Sequence, residues 1–150
     1  MQRSFSNQKP IVPFIYITLY VIYSSIATIY PVLPPFFAVL FVVFSRALDR
    51  KDSMALLLVS LCLVIFEVNY DYLLFSSLIY FYIQYKFIMP KVIKNFSCKS
   101  CVKISYVLFT YLGYYLFLTL LSNIFMFESP ELNYYIIYYI VIEFFIVSLI

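Results

Sequence analysis

Apolar residues run along this chain in long stretches broken by a few short polar clusters, and the spacing of those clusters predicts the elements. The stretch 11–30 has the roughly 20 residues that one membrane-crossing helix needs. Pro31, Pro34 and Pro35 close it and open the next, because proline fits the first turn of a helix but disrupts its interior. A second apolar helix is predicted over about 35–48, reaching the charge cluster Arg46-Ala-Leu-Asp-Arg-Lys-Asp52. Asp52 or Ser53 is suited to cap a third helix over 54–66. Glu67-Val-Asn-Tyr-Asp71 then interrupts the run, and a fourth segment over about 72–87 is expected to stop near Pro90. The longest polar stretch, 91–103, reads as a loop, followed by a fifth helix over 104–127. Ser129-Pro130-Glu131 has a cap, a first-position proline and a first-turn acid in helical order, so a sixth helix is expected over 130–150.

Composition turns these apolar helices into candidate membrane spans. Hydrophobic residues fill 65% of the 150 positions, charged residues 11%, and the mean hydropathy is +0.99. Soluble domains are nearer one half and one quarter. A soluble fold of this size leaves about 30% of its chain's surface in water, which ten basic and seven acidic side chains could not cover. The expected architecture is therefore an all-α, polytopic membrane bundle of about six transmembrane helices forming one domain over 1–150, with membrane lipid as its surroundings. Seventeen Phe and seventeen Tyr, beside one Gly and no Trp, read as the imprint of an A/T-rich coding sequence, with Tyr left as the interfacial anchor. Arg3 and Lys9 precede the first run, which is long for a signal peptide and reads as a retained anchor.

Charge then orients the bundle and chooses the number of spans. Counting connections alternately, the N-terminal tail, 46–52 and 86–103 fall on one side and hold all ten basic residues; the opposite connections hold Glu67, Asp71, Glu128 and Glu131. Short cytoplasmic loops collect Lys and Arg, so both termini are expected in the cytoplasm. The 35 residues from 53 to 87 are many for one crossing and few for two, and only two crossings keep the later lysines inside.

Candidate chemistry is sparse. Glu67 and Asp71 are four apart and would share a face if the helix continued, where they could bind a cation or relay protons; the expected reading is a solvated turn between two helices, which Asn69, Tyr70 and Tyr72 also suit. Glu143 is the clearest acid inside a predicted span, about 10 Å along a helix from the C-terminus, with Lys86 or Lys103 as its expected partner or the cytoplasmic interface as its outlet. Gln84, Asn123 and the pairs Ser24-Ser25 and Ser76-Ser77 are expected to bond between helices. Cys98-Lys-Ser-Cys101 has the spacing of a redox pair or of half a zinc site, but its loop holds no other Cys or His, so only a second copy could complete a zinc site, and the expected topology puts it in the reducing cytoplasm; two ordinary cysteines are the expected reading. Lys91, Lys94, Lys99 and Lys103 complete a candidate cytoplasmic interaction loop with those cysteines, open to anionic lipid or an acidic partner. Without histidine, a Gly-rich phosphate loop, HExxH or GxSxG, no enzyme activity, cofactor or metal is expected, and no nucleic-acid partner.

From 35 to 86 the chain resembles the bacterial rod-shape-determining protein MreD family: Pro35 opens an apolar helix, Arg46 to Asp52 form a short polar loop, and the next apolar helix ends at Glu67, about where the family has aspartate. The glycines that usually surround that acid are replaced by residues such as Leu63 and Tyr70, and the Cys98/Cys101 segment departs from the family pattern. The resemblance implies a small six-span inner-membrane protein that acts without catalysis as a scaffold of the cell-elongation machinery. It also implies a partner with a periplasmic domain, like MreC. The family is similar in fold to the substrate-binding subunits of vitamin-type transporters, which supplies a second expectation. A lipid-modifying or redox membrane enzyme is a third.

Overall fold

The computed structural model describes residues 11–150, and there it is all helical, with six helices and no strand among the described residues. They are α1, Ile11–Ile29; α2, Phe37–Arg50; α3, Ser53–Asn69; α4, 76–95; α5, Lys99–Phe125; and α6, Tyr135–Leu149. Arg3 and Lys9, on which the orientation of the tail was argued, lie outside the described residues. The interval 53–87 does contain two helices, joined by a turn near 70–75. By length and composition only α5 among the described residues is long and apolar enough to cross a membrane alone; α3 and α6 are shorter apolar helices of 17 and 15 residues.

Several boundaries differ from those the sequence predicts, each for a local reason. Asp52 caps α3 as expected, its carboxylate accepting from the amides of Met54 and Ala55 at 3.2 and 3.3 Å. That helix runs through Glu67 rather than ending before it. In α4, Pro90 lies inside the helix instead of stopping it. The turn before it, Gln84–Ile88, is wound as a π-helix, and this wider turn relieves the clash that a proline ring makes with the carbonyl four residues earlier. As a result Lys91 and Lys94 are helical, Lys99 and Lys103 begin α5, and the expected 91–103 loop shrinks to residues 96–98. Ser129, Pro130 and Glu131 stay non-helical, and α6 starts only at Tyr135, where Ile136 N–H bonds to the carbonyl of Asn133. That segment instead lines a cavity opposite residues 70–73.

Helix α2 is the hub, packing against α3, α5 and α6. Its first residue, Phe37, is buried and lies 4.8 Å, ring to ring, from each of Phe66, Phe81 and Tyr114. Phe41, Leu63 and Phe81 fill the space below it with no exposure. Polar groups are buried with them: Ser24, Glu67, Ser76, Ser77, Gln84, Thr110 and Glu143 all face inward, while large apolar side chains such as Leu19, Ile22, Leu57, Leu116, Leu120 and Phe145 face outward.

The two ends of the bundle differ in charge. Arg46 donates to the carbonyl of Ile150, Lys103 to that of Ser148, and Tyr85 to Asp49, so the C-terminal ends of α2 and α6 meet the start of α5 and the middle of α4 at a basic end. Asp71, Glu128 and Glu131 gather at the opposite end.

A second π-helical turn, Phe109–Gly113, interrupts α5 opposite the one in α4. The two are joined by Gln84 Nε2 donating to Thr110 Oγ1 at 3.1 Å and by Tyr80 Oη donating to the carbonyl of Phe109 at 2.5 Å. That carbonyl is available because the π-turn disturbs the regular bonding pattern. Tyr80 reaches it by passing over Gly113, where an added Cβ would overlap the hydroxyl and stand 2.9 Å from Cζ. Gly113→Ala is therefore expected to displace Tyr80 and destabilise the protein by about 1–3 kcal/mol, with the loss partly restored in Gly113→Ala/Tyr80→Phe. Thermal unfolding of the purified variants in detergent micelles measures both.

Candidate functional site

A helix presents four backbone amides at its start that no carbonyl of its own can accept, and the usual remedy is a Ser, Thr, Asp or Asn at the cap. Helices α2 and α4 have none: their caps are Phe36 and Phe75, both in the left-handed region at φ 55° and 66°, with no side-chain capping bond. A glutamate from another helix performs the task in each case.

For α2 it is Glu143 of α6. Its carboxylate accepts from Phe37 N–H at 3.1 Å on Oε1, from Ala38 N–H at 2.7 Å on Oε2, and from the hydroxyl of Tyr111 on Oε1. The residue is completely buried. Its partners are thus amides and a phenol, and neither expected lysine is among them. Lys103 bonds to Ser148 O instead, and Lys86 lies over the rings of Tyr82 and Phe87 on its own helix. The positive end of the α2 dipole supplies the counter-charge that a lysine was expected to bring.

For α4 it is Glu67 of α3, also completely buried. Oε2 accepts from Phe75 N–H at 2.6 Å; Oε1 accepts from Ser77 N–H and Ser77 Oγ, both at 2.6 Å, and from Ser76 Oγ at 3.2 Å. Ser76 Oγ also bonds to the Tyr114 hydroxyl at 2.9 Å, which extends the cluster to α5. The pairing of Glu67 with Asp71 is not formed: Asp71 follows the helix in a left-handed conformation at φ 53° and is exposed. Nor is Glu67 in a solvated turn. Ser76-Ser77 was recognisable as a polar pair within an apolar run; that its partner is the acid ten residues earlier had no sequence signal beyond the shared apolar surroundings.

The remaining interhelical polar contacts divide. Asn69 Nδ2 donates to Ser24 Oγ at 2.6 Å and Gln84 reaches Thr110, both between helices, whereas Ser25 bonds back to Val21 O in its own helix and Asn123 is exposed. Gln84 Oε1 is buried and has no partner among the described residues.

Beside the acidic end opens a cavity of about 1000 Å³ lined by Tyr70, Asp71, Tyr72, Glu128, Pro130 and Glu131 among others. A narrower space of about 100 Å³ continues from it, walled by Tyr70, Tyr72, Tyr114 and Tyr139, and touches Phe37 and Tyr111 beside the Glu143 cap. At the other end Cys98 stands at the cap position of α5 without a side-chain capping bond and is exposed, with Cys101 one turn on and half-buried; both are free thiols. No group of three or more His, Cys, Asp or Glu among the described residues could hold a metal ion.

Compared with family models, curated proteins and solved structures, the chain matches none of them.

Because every backbone partner of the two glutamates is a donor, an amide is a poor substitute for either acid. Glu143→Ala is expected to cost about 2–5 kcal/mol by stranding two amides and a phenol in the interior, and Glu143→Gln about 1–3 kcal/mol, since its NH₂ must face an N–H. Glu67→Gln should behave alike, and Tyr111→Phe should be milder than any of them. Unfolding in detergent, followed by the loss of helical circular dichroism, ranks the series; equal stability of Glu143→Gln and wild type would remove the capping role.

Proposed function

We propose that this chain is a six-span protein of the bacterial inner membrane, with both termini in the cytoplasm, and that it acts as a scaffold of the cell-elongation machinery. The observation that carries the membrane reading is the outer surface of large apolar side chains, Leu, Ile and Phe, around an interior that holds two carboxylates, an amide and hydroxyls among its aromatic and aliphatic core. Such an exterior is matched to lipid, where polar groups find partners only within the bundle.

Short helices are compatible with this reading because the chain between them remains satisfied. Fourteen residues of α2 rise about 21 Å, less than a bilayer core of about 30 Å. The non-helical stretch before it is held by hydroxyls: Tyr23 donates to Pro34 O at 2.6 Å and Tyr139 to Pro31 O. Irregular backbone at membrane depth is tolerated where protein supplies its hydrogen bonds. The basic end has the charge of a cytoplasmic face and the acidic end that of the opposite one.

The scaffold role is supported by the resemblance of 35–86 to the MreD family and by the occupation of Glu67 and Glu143. Both acids are committed to joining helices, α3 to α4 and α6 to α2. On this reading the cavity at the acidic end is where a membrane partner with a periplasmic domain, MreC-like in kind, would engage the bundle. The same cavity favours a second reading, a substrate-binding subunit of a small-molecule transporter, since it is roomy and continues inward along tyrosines.

Two measurements decide these points. An impermeant maleimide should leave Cys98 and Cys101 unlabelled in intact spheroplasts and label them after lysis; labelling from outside would reverse the topology. Depletion should round the cells, and the tagged protein should co-purify with a single-pass periplasmic partner. That partner should be lost from Asp71→Lys/Glu128→Lys/Glu131→Lys. Normal rods with no partner, together with a small molecule retained by the purified protein, would favour the transporter instead.

A further inference from the structure

We infer that Cys98 and Cys101 form a reversible dithiol–disulfide pair at the basic end of the bundle, exchanging with anionic, glutathione-like disulfides. This inference does not depend on the scaffold or transporter reading, because it uses only the start of α5 and the lysines beside it.

Three observations converge there. Cys98 is the cap residue of a helix, in extended conformation at φ −86° and ψ 122°, and Cys101 sits in the first turn. Residues three apart at a helix start lie on one face. No capping bond reaches the Cys98 sulfur; the neighbouring Cys101 thiol and the amides of the helix start hold the Cys98 thiol below its ordinary range. Accessibility is graded in the order that exchange requires, with Cys98 exposed, Cys101 half-buried, and the third cysteine, Cys62, buried in α3. Lys99 and Lys103 lie on the same helix and Lys91 and Lys94 on the preceding one, so the approach is cationic. Anionic disulfides are favoured over neutral ones on such a surface.

The exchange balances. Cys98 thiolate attacks one sulfur of a disulfide RSSR, making the Cys98–SR bond and expelling RS⁻. Cys101 gives its proton to solvent and attacks Cys98 Sγ, making the Cys98–Cys101 bond and expelling the second RS⁻. The protein loses two electrons and RSSR gains them as two thiols. An excess of RSH reverses both steps.

The full-length protein in detergent micelles, equilibrated across a series of oxidised-to-reduced glutathione ratios, acid-quenched and alkylated with maleimide after unfolding, reads the outcome by mass. Wild type is expected to pass from three alkylated cysteines to one with a single midpoint, and Cys62→Ala from two to none. Cys101→Ser should stop with one glutathione added, and Cys98→Ser should take up glutathione several-fold more slowly than Cys101→Ser. The inference is overturned if the thiols stay free throughout, or if wild type collects one glutathione on each exposed cysteine. It is equally overturned if the only disulfide joins two chains, or if added Zn²⁺ binds one ion per two chains and blocks oxidation altogether.

Discussion

Two carboxylates satisfying the amides of helices that are not their own organise this bundle. Inside a low-dielectric interior an uncapped helix start and an unpaired carboxylate are each costly, and joining them removes both penalties in one contact. The geometry is directional as well as favourable. Glu143 fixes how far α2 penetrates relative to α6, and Glu67 fixes the start of α4 against α3, while Tyr111 and Tyr114 tie α5 to the two clusters. The aromatic core around Phe37 then forms at the position these contacts define, because Phe37 supplies both an amide to the cap and a ring to the core.

Much of the architecture was legible in the apolar runs. Six helices, the two-helix interval after Ser53, the Asp52 cap and the separation of basic from acidic connections all follow from the spacing of charges and prolines. What periodicity could not reveal was the use of an acid at a distance. Glu67 looks like a helix terminator because it opens a polar cluster, yet it is the last buried position of a helix that continues to Asn69. Glu143 stood out as an acid in an apolar run, but its partners are backbone amides, and amides have no sequence signature. Pro90 marked a stop that the preceding π-turn makes unnecessary, and that turn depends on contacts with α5 rather than on local composition.

Polar pairing recurs between α4 and α5 in a weaker form. Their facing π-turns free a carbonyl for Tyr80 and bring Gln84 to Thr110, while the lone glycine of the sequence leaves room for the tyrosine to cross. The acids, the glutamine and the serines form separate small clusters at different levels of the bundle. They fasten different sets of helices, and α2 is held at both ends, by Glu143 at its start and through Arg46 and Asp49 at its finish.

The Glu143 bond also orders events in time. Phe37 and its carboxylate partner are separated by 106 residues. At about 5–20 residues per second of synthesis, α2 exists for several seconds before the residue that completes its first turn has been made. Throughout that interval the amides of Phe37 and Ala38 depend on temporary acceptors such as water. The second helix is thus finished by the sixth, long after its own residues have been made.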